Sequence, residues 1–552
     1  MRLSTTHFAC CVASLAVLLA ALRIGSTWPV VSETTDEAFH IACGMEWLAT
    51  GQYTYETEGP PLARIVIALG PYLGGAAFHR QPDAAKEGRL LLEETPDSEG
   101  LLASARAGNL AFFLLACWSV WLLARRCGGP VVAAASVVLF TLIPVILGHA
   151  GVATTDMALA ACVAFAYWAW QVWLDNPYDP KRAALAGFAS ALAATSKFSA
   201  FLFLPAALLP LVLLRRRGGP RQAVRGSLAR SLACLAAAFF AFCWMMYRFA
   251  VIPLRTPPGR QFLLLDHWTG ARGWVHAAAY RLMEIPLPLT AIPKGLGEVF
   301  QHNWAGHPAY LFGHVSQYGW WYFFPIVLAV KTPLAMLALT VAGAVAAIRE
   351  RNARAMQYLL AAVAVVLVCL PANIDIGVRY LLAVYLLLAP VAGLGVVRLW
   401  QRTRAGAVLL CVWMIAGSIA ARPDYLADFN LLAMGKPERI VADSDLDWGQ
   451  DLRRATELLR RQGAAEAWIA YSGTARPSCE KGIAYRELPA NTRVGGWVAA
   501  SVRSLYFDDA QARQAGRPEP YGWLKGLKPT MRAGRSIWIY HLPGEPPQPA
   551  RN

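Results

Sequence analysis

Charged residues are scarce in this chain of 552 residues, in which Asp, Glu, Lys and Arg make up only 16% of the sequence. Soluble domains carry about 25% charged residues, so this composition is not that of a soluble protein. The 11 cysteines show none of the spacings of a metal site, and most lie inside apolar runs, where packing explains them. The chain also has no phosphate-binding loop, nucleophile elbow or dinucleotide-binding fingerprint before a suitable element, which excludes the enzyme classes that these motifs mark.

Long apolar runs stand in place of charge, since 56% of the residues are hydrophobic. A helix of about 20 apolar residues spans a bilayer. The runs therefore predict a mainly α-helical, polytopic membrane protein with about 11 transmembrane helices, the first of them an anchor rather than a signal peptide. The predicted spans are residues 8–25, 108–125, 130–149, 155–174, 183–197, 198–214, 228–252, 321–348, 356–372, 378–397 and 405–421.

Basic residues are concentrated in alternate loops between these runs. Five of these loops hold 16 Lys or Arg residues, whereas the opposite short loops hold only Lys197 and Arg379. Because positively charged loops stay in the cytoplasm, we expect the long loops 26–107 and 253–320 to face outward, together with the C-terminal part of the chain. The net charge of +16 then reflects topology and anionic lipid headgroups rather than nucleic acid binding.

Composition divides the chain into a membrane domain, residues 1–424, and a C-terminal domain, residues 425–552, which is polar and rich in Pro and Gly. In the second part, helical spacing at 451–463 and strand-like runs at 467–473 and 536–542 predict a small α/β domain outside the membrane.

The first outer loop contains two apolar segments, residues 38–50 and 62–78, which are too short to span and predict helices lying at the membrane interface. Residues 82–100 predict a mobile loop. Cys43 in this loop and Cys479 in the C-terminal domain are the cysteines that fall in water-facing regions, so a disulfide between them is one interpretation.

Ionisable residues gather on the predicted outer side. Such residues are costly at a membrane edge and by default mark a site. Acids and bases on one face favour chemistry on a charged, lipid-linked molecule. The residues are Asp36, Glu37, His40, Glu56, Glu58, Asp156, Lys197, His302, His307, His314, Lys331, Asp375 and Arg379.

Each of these residues also has a structural interpretation. Asp36 and Asp156 precede or begin helical segments and are placed to act as N-terminal caps. Lys197 is placed to reach the lipid headgroups. Arg379 follows Asp375 by four residues, which is the spacing of an ion pair on one helical turn.

The segment DSDLDWGQDL (443–452) contains four acids within nine residues. Carboxylates are hard ligands, so a divalent metal is one interpretation, and His302 and His307 with nearby acids are another. In the plainer interpretation, which we favour, Asp447 begins a helix that runs through Leu459 and the other acids are solvated or pair with nearby arginines. No metal ligand or cofactor is therefore assigned.

An acidic pair in the first outer loop, followed by the turn Gly59-Pro60-Pro61-Leu62, resembles the GT-C glycosyltransferases. The resemblance is to family 39, which holds the protein O-mannosyltransferases and the bacterial aminoarabinose transferases. The segments GVATTDMALA, ATSKFSAFLFLP, DIGVRYLLAVYLLLAP and DSDLDWGQDL extend the similarity to a bacterial branch over nearly all of residues 30–455. The family commonly has His before this turn, where this chain has Gly59.

The resemblance implies a multi-pass enzyme of the bacterial cytoplasmic membrane, with the active site on the outer side. It would take a sugar from a polyprenyl-phosphate-linked donor and transfer it to an acceptor on a protein, lipid or glycan. Asp36 matches the family's catalytic acid, and we expect it to be the general base of an inverting displacement, assisted by Glu37. The residues expected to bind the donor or its phosphate are Arg64, Asp156, Lys197, His307, Arg379 and Tyr380. A flippase for lipid-linked sugars is the main alternative, and a non-catalytic membrane protein is another.

Overall fold

The structure is a computed structural model that describes residues 4–214, 227–255, 266 and 273–544. Most of the predicted arginine-rich loop 215–230 lies outside the described residues, as do part of the loop 253–320 and the last eight residues.

Helices dominate the described residues, as the apolar runs predict. They are α1 (Thr5–Gly25), α2 (Glu37–Thr50), α3 (Pro61–Leu73), α4 (Ala84–Glu94), α5 (Ser98–Phe140), α6 (Pro144–Ala150), α7 (Asp156–Asp175), α8 (Pro180–Ser196), α9 (Ala200–Leu213), α10 (Leu228–Met246), α11 (Trp274–Met283), α12 (Ala291–Ala305), α13 (Phe323–Lys331), α14 (Leu334–Arg349), α15 (Ala353–Cys369), α16 (Leu382–Arg402), α17 (Arg404–Ala420), α18 (Leu452–Arg461), α19 (Asp509–Gln514) and α20 (Gly522–Lys525).

Within the described ranges, five helices are long and apolar enough to cross a membrane, or six if one bent pair is counted. The five are α1, α5, α7, α10 and α16 with the short turn before it; α3, α9, α15 and α17 are shorter apolar helices. The predicted number of 11 spans is therefore not confirmed, although each predicted span coincides with one or two helices.

Two predicted boundaries need correction. The stretch 321–348 is not one span, because α13 and α14 meet at 105°. The break lies at Thr332 and Pro333, where proline cannot donate the hydrogen bond that would continue the helix. In α5, by contrast, the predicted span 108–125 and the first part of the predicted span 130–149 lie in one long helical element. A kink with non-helical backbone at Gly128 and Gly129 divides this element.

The predicted cytoplasmic loops meet at one end of the membrane domain. Asp175, at the end of α7, pairs with Arg126 from one predicted cytoplasmic loop and, at 2.9 Å, with Arg354 from another. The other end of α7 is Asp156, one of the predicted site residues. A helix of 20 residues is about 30 Å long, the thickness of the hydrocarbon core. The basic cluster and the predicted site thus lie a membrane thickness apart.

The first outer loop is more ordered than predicted. Helices α2 and α3 confirm the helical prediction for the segments 38–50 and 62–78. Residues 82–100, predicted as a mobile loop, instead contain α4, whose first turn is capped by Asp83. Its buried Leu91 packs in the cluster formed by the first outer loop. The apolar residues in this segment were the evidence for a packed helix.

The C-terminal part forms the predicted α/β domain. Its five-stranded sheet has the order β6-β5-β7-β9-β8. The strands of the chain are β1 (Val251–Ile252), β2 (Leu287–Pro288), β3 (Ala309–Leu311), β4 (His314–Ser316), β5 (Glu466–Ala470), β6 (Ala484–Glu487), β7 (Gly496–Ser501), β8 (Met531–Ala533) and β9 (Ile537–Leu542). β5 is parallel to both β6 and β7, so the chain leaves β5 toward one neighbour and later returns to the other side.

Candidate active site

A cavity of about 470 Å³ lies where the first outer loop, the ends of α7 and α8, and the C-terminal domain meet. Seven of the eight sequence-predicted site residues line it. They are Asp36, Arg64, Asp156, Lys197, His307, Arg379 and Tyr380. They come from six separate parts of the sequence, so the fold brings together residues that are far apart along the chain.

Two ion pairs form the centre of the cavity. Arg379 Nη1 lies 2.6 Å from Asp36 Oδ2, and Lys197 Nζ lies 2.6 Å from Asp156 Oδ1. The Lys197 ammonium also sits 4.6 Å from the centre of the Tyr380 ring. Each cation is therefore held in place by a carboxylate and by an aromatic face, Tyr380 for Lys197 and Trp448 for Arg379.

These pairings replace two structural interpretations of the sequence. Arg379 does not pair with Asp375, whose Oδ2 accepts a hydrogen bond from the backbone N–H of Trp320 at 2.6 Å. Asp36 and Asp156 lie at the start of helices, but neither carboxylate caps its helix. Both acids face cations that are distant in sequence.

Asp36 differs from Asp156 in its access to the cavity. The side chain of Asp36 is 34% exposed, whereas that of Asp156 is 2% exposed. Burial alone would raise the pKa of Asp36, but the charge of the Arg379 guanidinium holds it below its ordinary value. Among the residues that the structure describes, none donates a hydrogen bond to Oδ1 of Asp36. This carboxylate is thus ionised and has one oxygen available to a ligand.

Glu37 does not reach the cavity. It is fully buried and binds Arg106 through both oxygens, with Nε–Oε1 at 2.8 Å and Nη2–Oε2 at 2.7 Å. The backbone N–H groups of Thr34 and Ala153 donate to the same carboxylate at 2.8 and 2.7 Å. Its hydrogen-bonding capacity is used within the fold, so the prediction that it assists Asp36 does not fit its position. Glu37 ties the first outer loop to α5.

Arg64 lies in a pocket made possible by Gly59. Its Nη1 donates to Tyr53 Oη at 2.8 Å and to the Gly59 carbonyl at 3.2 Å, and its Nε lies 3.2 Å from His40 Nδ1. A Cβ at residue 59 would come within 2.6 Å of Arg64 Nη2. The guanidinium therefore occupies space that any side chain at position 59 would need. Burial and the adjacent Arg64 charge lower the pKa of His40 to about 3, so this imidazole is neutral.

The histidines near the cavity have other partners. His302 Nδ1 lies 3.1 Å from Glu58 Oε2, and the backbone N–H of His307 donates to the Asn373 carbonyl at 3.0 Å. Across the described ranges, no three His, Cys, Asp or Glu side chains are grouped so as to hold a metal ion. His307 lines the cavity, and its backbone N–H is bonded to the neighbouring segment at Asn373.

The segment 443–452 does not begin a helix at Asp447, as the sequence had predicted. The helix begins at Leu452, and Asp445, Asp447 and Asp451 before it are buried. Asp451 pairs with Arg454 at 3.0 Å, as predicted, and Asp443 lies 3.4 Å from Arg503. Asp445 accepts from Val378 N at 3.0 Å, and Asp447 accepts from Arg503 N at 3.0 Å. Burial raises the pKa of both acids.

Segment 443–452 also positions the loop that carries Asp36. The carbonyl of Trp448 accepts from Thr35 N at 3.1 Å, and that of Gln450 accepts from Ser32 N at 2.9 Å. The Trp448 ring lies 4.6 Å from the Arg379 guanidinium. The conformation of this segment therefore holds Asp36 and its cationic partner Arg379 in position.

A second, larger cavity adjoins the first. It has a volume of about 1020 Å³ and lies between residues of the first outer loop and the C-terminal domain, including Glu93, Arg453 and Arg476. Thr35, Asp36 and Phe39 line both cavities. Sequence reasoning missed this cavity and also missed Ser472 and Arg503, which line the smaller one. Only the docking of the C-terminal domain reveals them.

The interpretation of Cys43 and Cys479 as a disulfide is wrong. Cys43 is buried in α2, Cys479 is exposed, and both are free. A small apolar thiol packed inside the first outer loop accounts for Cys43.

Comparisons with known proteins agree with this architecture. The family model described as dolichyl-phosphate-mannose-protein mannosyltransferase matches residues 100–247. The fold is similar to that of ArnT from Cupriavidus metallidurans bound to undecaprenyl phosphate, with a TM-score of 0.51, 14% identity and coverage of 95% of this chain and 97% of that chain. A search of curated protein sequences finds no significant match.

Two further solved structures are less similar. AglB from Archaeoglobus fulgidus, in complex with an inhibitory peptide and a dolichol-phosphate, has a TM-score of 0.45 and 12% identity over 90% of this chain and 70% of that chain. The S. cerevisiae Pmt1–Pmt2 complex bound to its sugar donor has a TM-score of 0.35 and 17% identity over 45% of this chain and 34% of that chain. The family model and the ArnT-like fold confirm the resemblance to the GT-C glycosyltransferases.

Proposed function

We propose that this protein is a membrane glycosyltransferase that moves a sugar from a polyprenyl-phosphate-linked donor to an acceptor hydroxyl, with Asp36 as the general base. The observation that carries the proposal is the position of Asp36 in the wall shared by two cavities. A base that takes a proton from the acceptor while the donor reacts must contact both substrates. The donor is assigned to the smaller cavity, because Lys197 and Arg379 lie there beside Asp36, and the acceptor is assigned to the larger one.

The chemistry follows from the two ion pairs. The acceptor oxygen attacks the anomeric carbon as its proton passes to Asp36, and the bond between that carbon and the phosphate oxygen breaks. The electron pair of this bond stays on the lipid phosphate. Arg379 and Lys197 are already fixed by Asp36 and Asp156, so they need little reorganisation to stabilise the new charge. Attack from the face opposite the leaving group inverts the anomeric centre.

Asp36 is a weak base before the reaction, because Arg379 lowers its pKa. As the leaving phosphate gains charge, it competes with Asp36 for the guanidinium of Arg379. Weakening of this ion pair makes the carboxylate more basic as the acceptor loses its proton. A single arginine thus links departure of the phosphate to deprotonation of the acceptor.

The donor class is supported by the cavity chemistry and by ArnT, whose structure holds undecaprenyl phosphate. We further propose that the site faces outward from the bacterial cytoplasmic membrane. The cluster of Arg126, Asp175 and Arg354 at the opposite end of the membrane domain supports this orientation under the positive-inside rule.

The test uses purified protein in lipid nanodiscs, radiolabelled polyprenyl-phosphate sugars and membrane extract as the source of acceptor. We expect wild type to transfer label and release free lipid phosphate, and Asp36→Asn to do neither. Asp83→Asn, which alters a helix cap in the same loop outside both cavities, is the matched control and should remain active. Lipid movement without cleavage of the sugar–phosphate bond in all three proteins would identify a flippase instead.

A further inference from the structure

In the C-terminal domain, the carboxyl ends of two strands of the sheet face the smaller cavity, which is proposed to bind the donor. Ser472 follows the end of β5 and Arg503 follows the end of β7, and both residues line the 470 Å³ cavity. β5 and β7 are parallel neighbours, while β6 lies on the other side of β5. The chain order therefore reverses between β5 and β7. The carboxyl ends of strands at such a switch point form the crevice in which α/β sheets bind ligands.

Arg503 is held firmly at this position. Its backbone N–H donates to Asp447 Oδ2 at 3.0 Å, and its guanidinium lies 4.8 Å from the centre of the Phe507 ring. The next residues, Ser504–Asp508, form a π-helical turn, a rare conformation that is frequent at functional sites. Ser504 Oγ is 2.7 Å from Ser472 Oγ, so the two strand ends are joined beside the cavity.

The guanidinium of Arg503 has hydrogen-bonding capacity to spare. Its Nε lies 3.4 Å from Asp443 Oδ1, which is an ion pair but too poorly aligned to be a hydrogen bond. Among the described residues, none accepts a hydrogen bond from this group. Lys197 and Arg379, by contrast, each bond to a carboxylate. Arg64, the other cation of the lining, donates to Tyr53 Oη and to the Gly59 carbonyl. Of the four Lys and Arg residues that line this cavity, Arg503 is thus the one whose side chain donates no hydrogen bond to a described residue.

We propose that Arg503 is a donor-binding residue whose guanidinium contacts the phosphate of the lipid-linked sugar, so that the C-terminal domain completes the donor site. The inference rests on the proposed function, because it takes the small cavity as the donor site. The ligand chemistry is an oxyanion on the donor. A phosphate supplies it in every polyprenyl-phosphate sugar, whereas a carboxylate would be present only on an acidic sugar.

The experiment measures binding without turnover. Undecaprenyl phosphate is titrated onto the full-length protein in nanodiscs, first without a sugar and then as a neutral hexosyl-phosphate lipid. Loss of a hydrogen bond to a charged group costs about 1.5–3 kcal/mol, so Arg503→Gln should raise Kd by at least 10-fold for both lipids. Arg503→Lys should recover part of the affinity, because it keeps the charge but loses the planar donor geometry.

Arg532→Gln is the matched control, since Arg532 also lies over an aromatic ring of the C-terminal domain, at 4.7 Å from the Trp538 centroid, but lines neither cavity. It should leave Kd unchanged, and the thermal unfolding of all three variants should match wild type. Equal affinity of Arg503→Gln and wild type for both lipids would overturn the inference. So would a loss confined to the sugar-bearing lipid, which would place Arg503 against the sugar.

These outcomes separate the inference from the proposed function. If Arg503 controls lipid binding but no variant or wild type transfers sugar, the site binds donor and the transferase proposal fails. If transfer depends on Asp36 while Arg503→Gln binds donor normally, the transferase stands and the inference fails.

Discussion

Asp36 and Glu37 are adjacent acids that face two different regions of the molecule, and each is paired with an arginine. Glu37 lies in a closed region, where Arg106 and two backbone N–H groups bind its two oxygens and no side-chain surface is exposed. Asp36 lies in an open region, with one oxygen on Arg379 and a third of its side chain exposed. An ion pair therefore does not by itself identify a reactive carboxylate. Remaining hydrogen-bonding capacity and access to a cavity do.

The largest effect on stability is expected in the closed region. Glu37→Gln removes the charge that compensates the buried Arg106, and breaking a buried pair costs about 3–5 kcal/mol. We expect a large drop in the unfolding temperature measured in detergent. Asp36→Asn should lower the unfolding temperature much less, because Asp36 is partly exposed and Arg379 still has the carboxylate of Asp156 nearby. Equal drops in the unfolding temperature of Glu37→Gln and Asp36→Asn would show that the closed and open regions do not differ in this way.

The next largest effect is expected on activity, when Arg379 in the open region loses its charge. Arg379→Gln should lower kcat/KM by about 100-fold, as does removal of a preorganised donor at other charged transition states. It should also move the acid limb of the pH profile upward. Burial raises the pKa of Asp36 and Arg379 opposes it, so without Arg379 the carboxylate takes up a proton at higher pH.

Arg379→Lys is the control for charge, and it should keep most of the wild-type acid limb while losing part of the rate. An acid limb in Arg379→Gln that coincides with wild type would mean that Arg379 does not set the pKa of Asp36, which would contradict the coupling described above.

A smaller effect is expected at Gly59. Gly59→Ala places a Cβ 2.6 Å from Arg64 Nη2 and should displace this guanidinium, weakening donor binding by about 10-fold. Gly297→Ala is the control, because a Cβ there meets no atom of the described residues within 4 Å. Donor titration in nanodiscs measures both. Unchanged affinity in Gly59→Ala would show that Arg64 does not contribute to the donor site.

The smallest effect is on stability and depends on pH. Burial raises the pKa of Glu33 to about 7, although a hydrogen bond from Thr474 acts in the opposite direction. The folded protein therefore prefers protonated Glu33, and this contribution is present below about pH 4 and is lost as the pH rises through 7. Glu33→Gln should stabilise the protein by about 1–2 kcal/mol at pH 8 and by little at pH 5.

The matched control for this prediction is Glu99→Gln, since Glu99 is 64% exposed in its side chain. Unfolding temperatures at the two pH values measure both variants. A stabilisation of Glu33→Gln that is the same at pH 5 and pH 8 would contradict the raised pKa.

Much of the site could be predicted from the sequence, because alternation of apolar runs and basic loops fixes which helix ends share a side. This reasoning placed Asp36, Asp156, Lys197 and Arg379 on one face, and the structure brings them into one cavity. It could not predict their partners. The pair Asp36–Arg379 joins residues 343 positions apart, whereas the local spacing favoured Asp375.

The C-terminal domain was harder to interpret for the same reason. Two of its five strands, β5 and β9, were predicted from β-branched and aromatic residues, whereas β6, β7 and β8 were not. The acids of segment 443–452 were predicted to be solvated or paired with arginines; Asp451 does pair with Arg454, but Asp445 and Asp447 are bound by backbone N–H groups from other elements. Burial of a carboxylate by such donors depends on tertiary docking and leaves no local pattern. The role of Arg503 at a strand end depends on the same docking.

The central claim is that Asp36, and not Glu37, is the base. The most direct measurement compares single-turnover release of polyprenyl phosphate by wild type, Asp36→Asn and Glu37→Gln, each normalised to folded protein that binds donor. A general base contributes about 100- to 10,000-fold to the rate, so Asp36→Asn should lose that much while still binding donor. Glu37→Gln should release lipid phosphate at close to the wild-type rate per folded molecule. Turnover by Asp36→Asn at the wild-type rate, or an equal loss in Glu37→Gln, would contradict the claim.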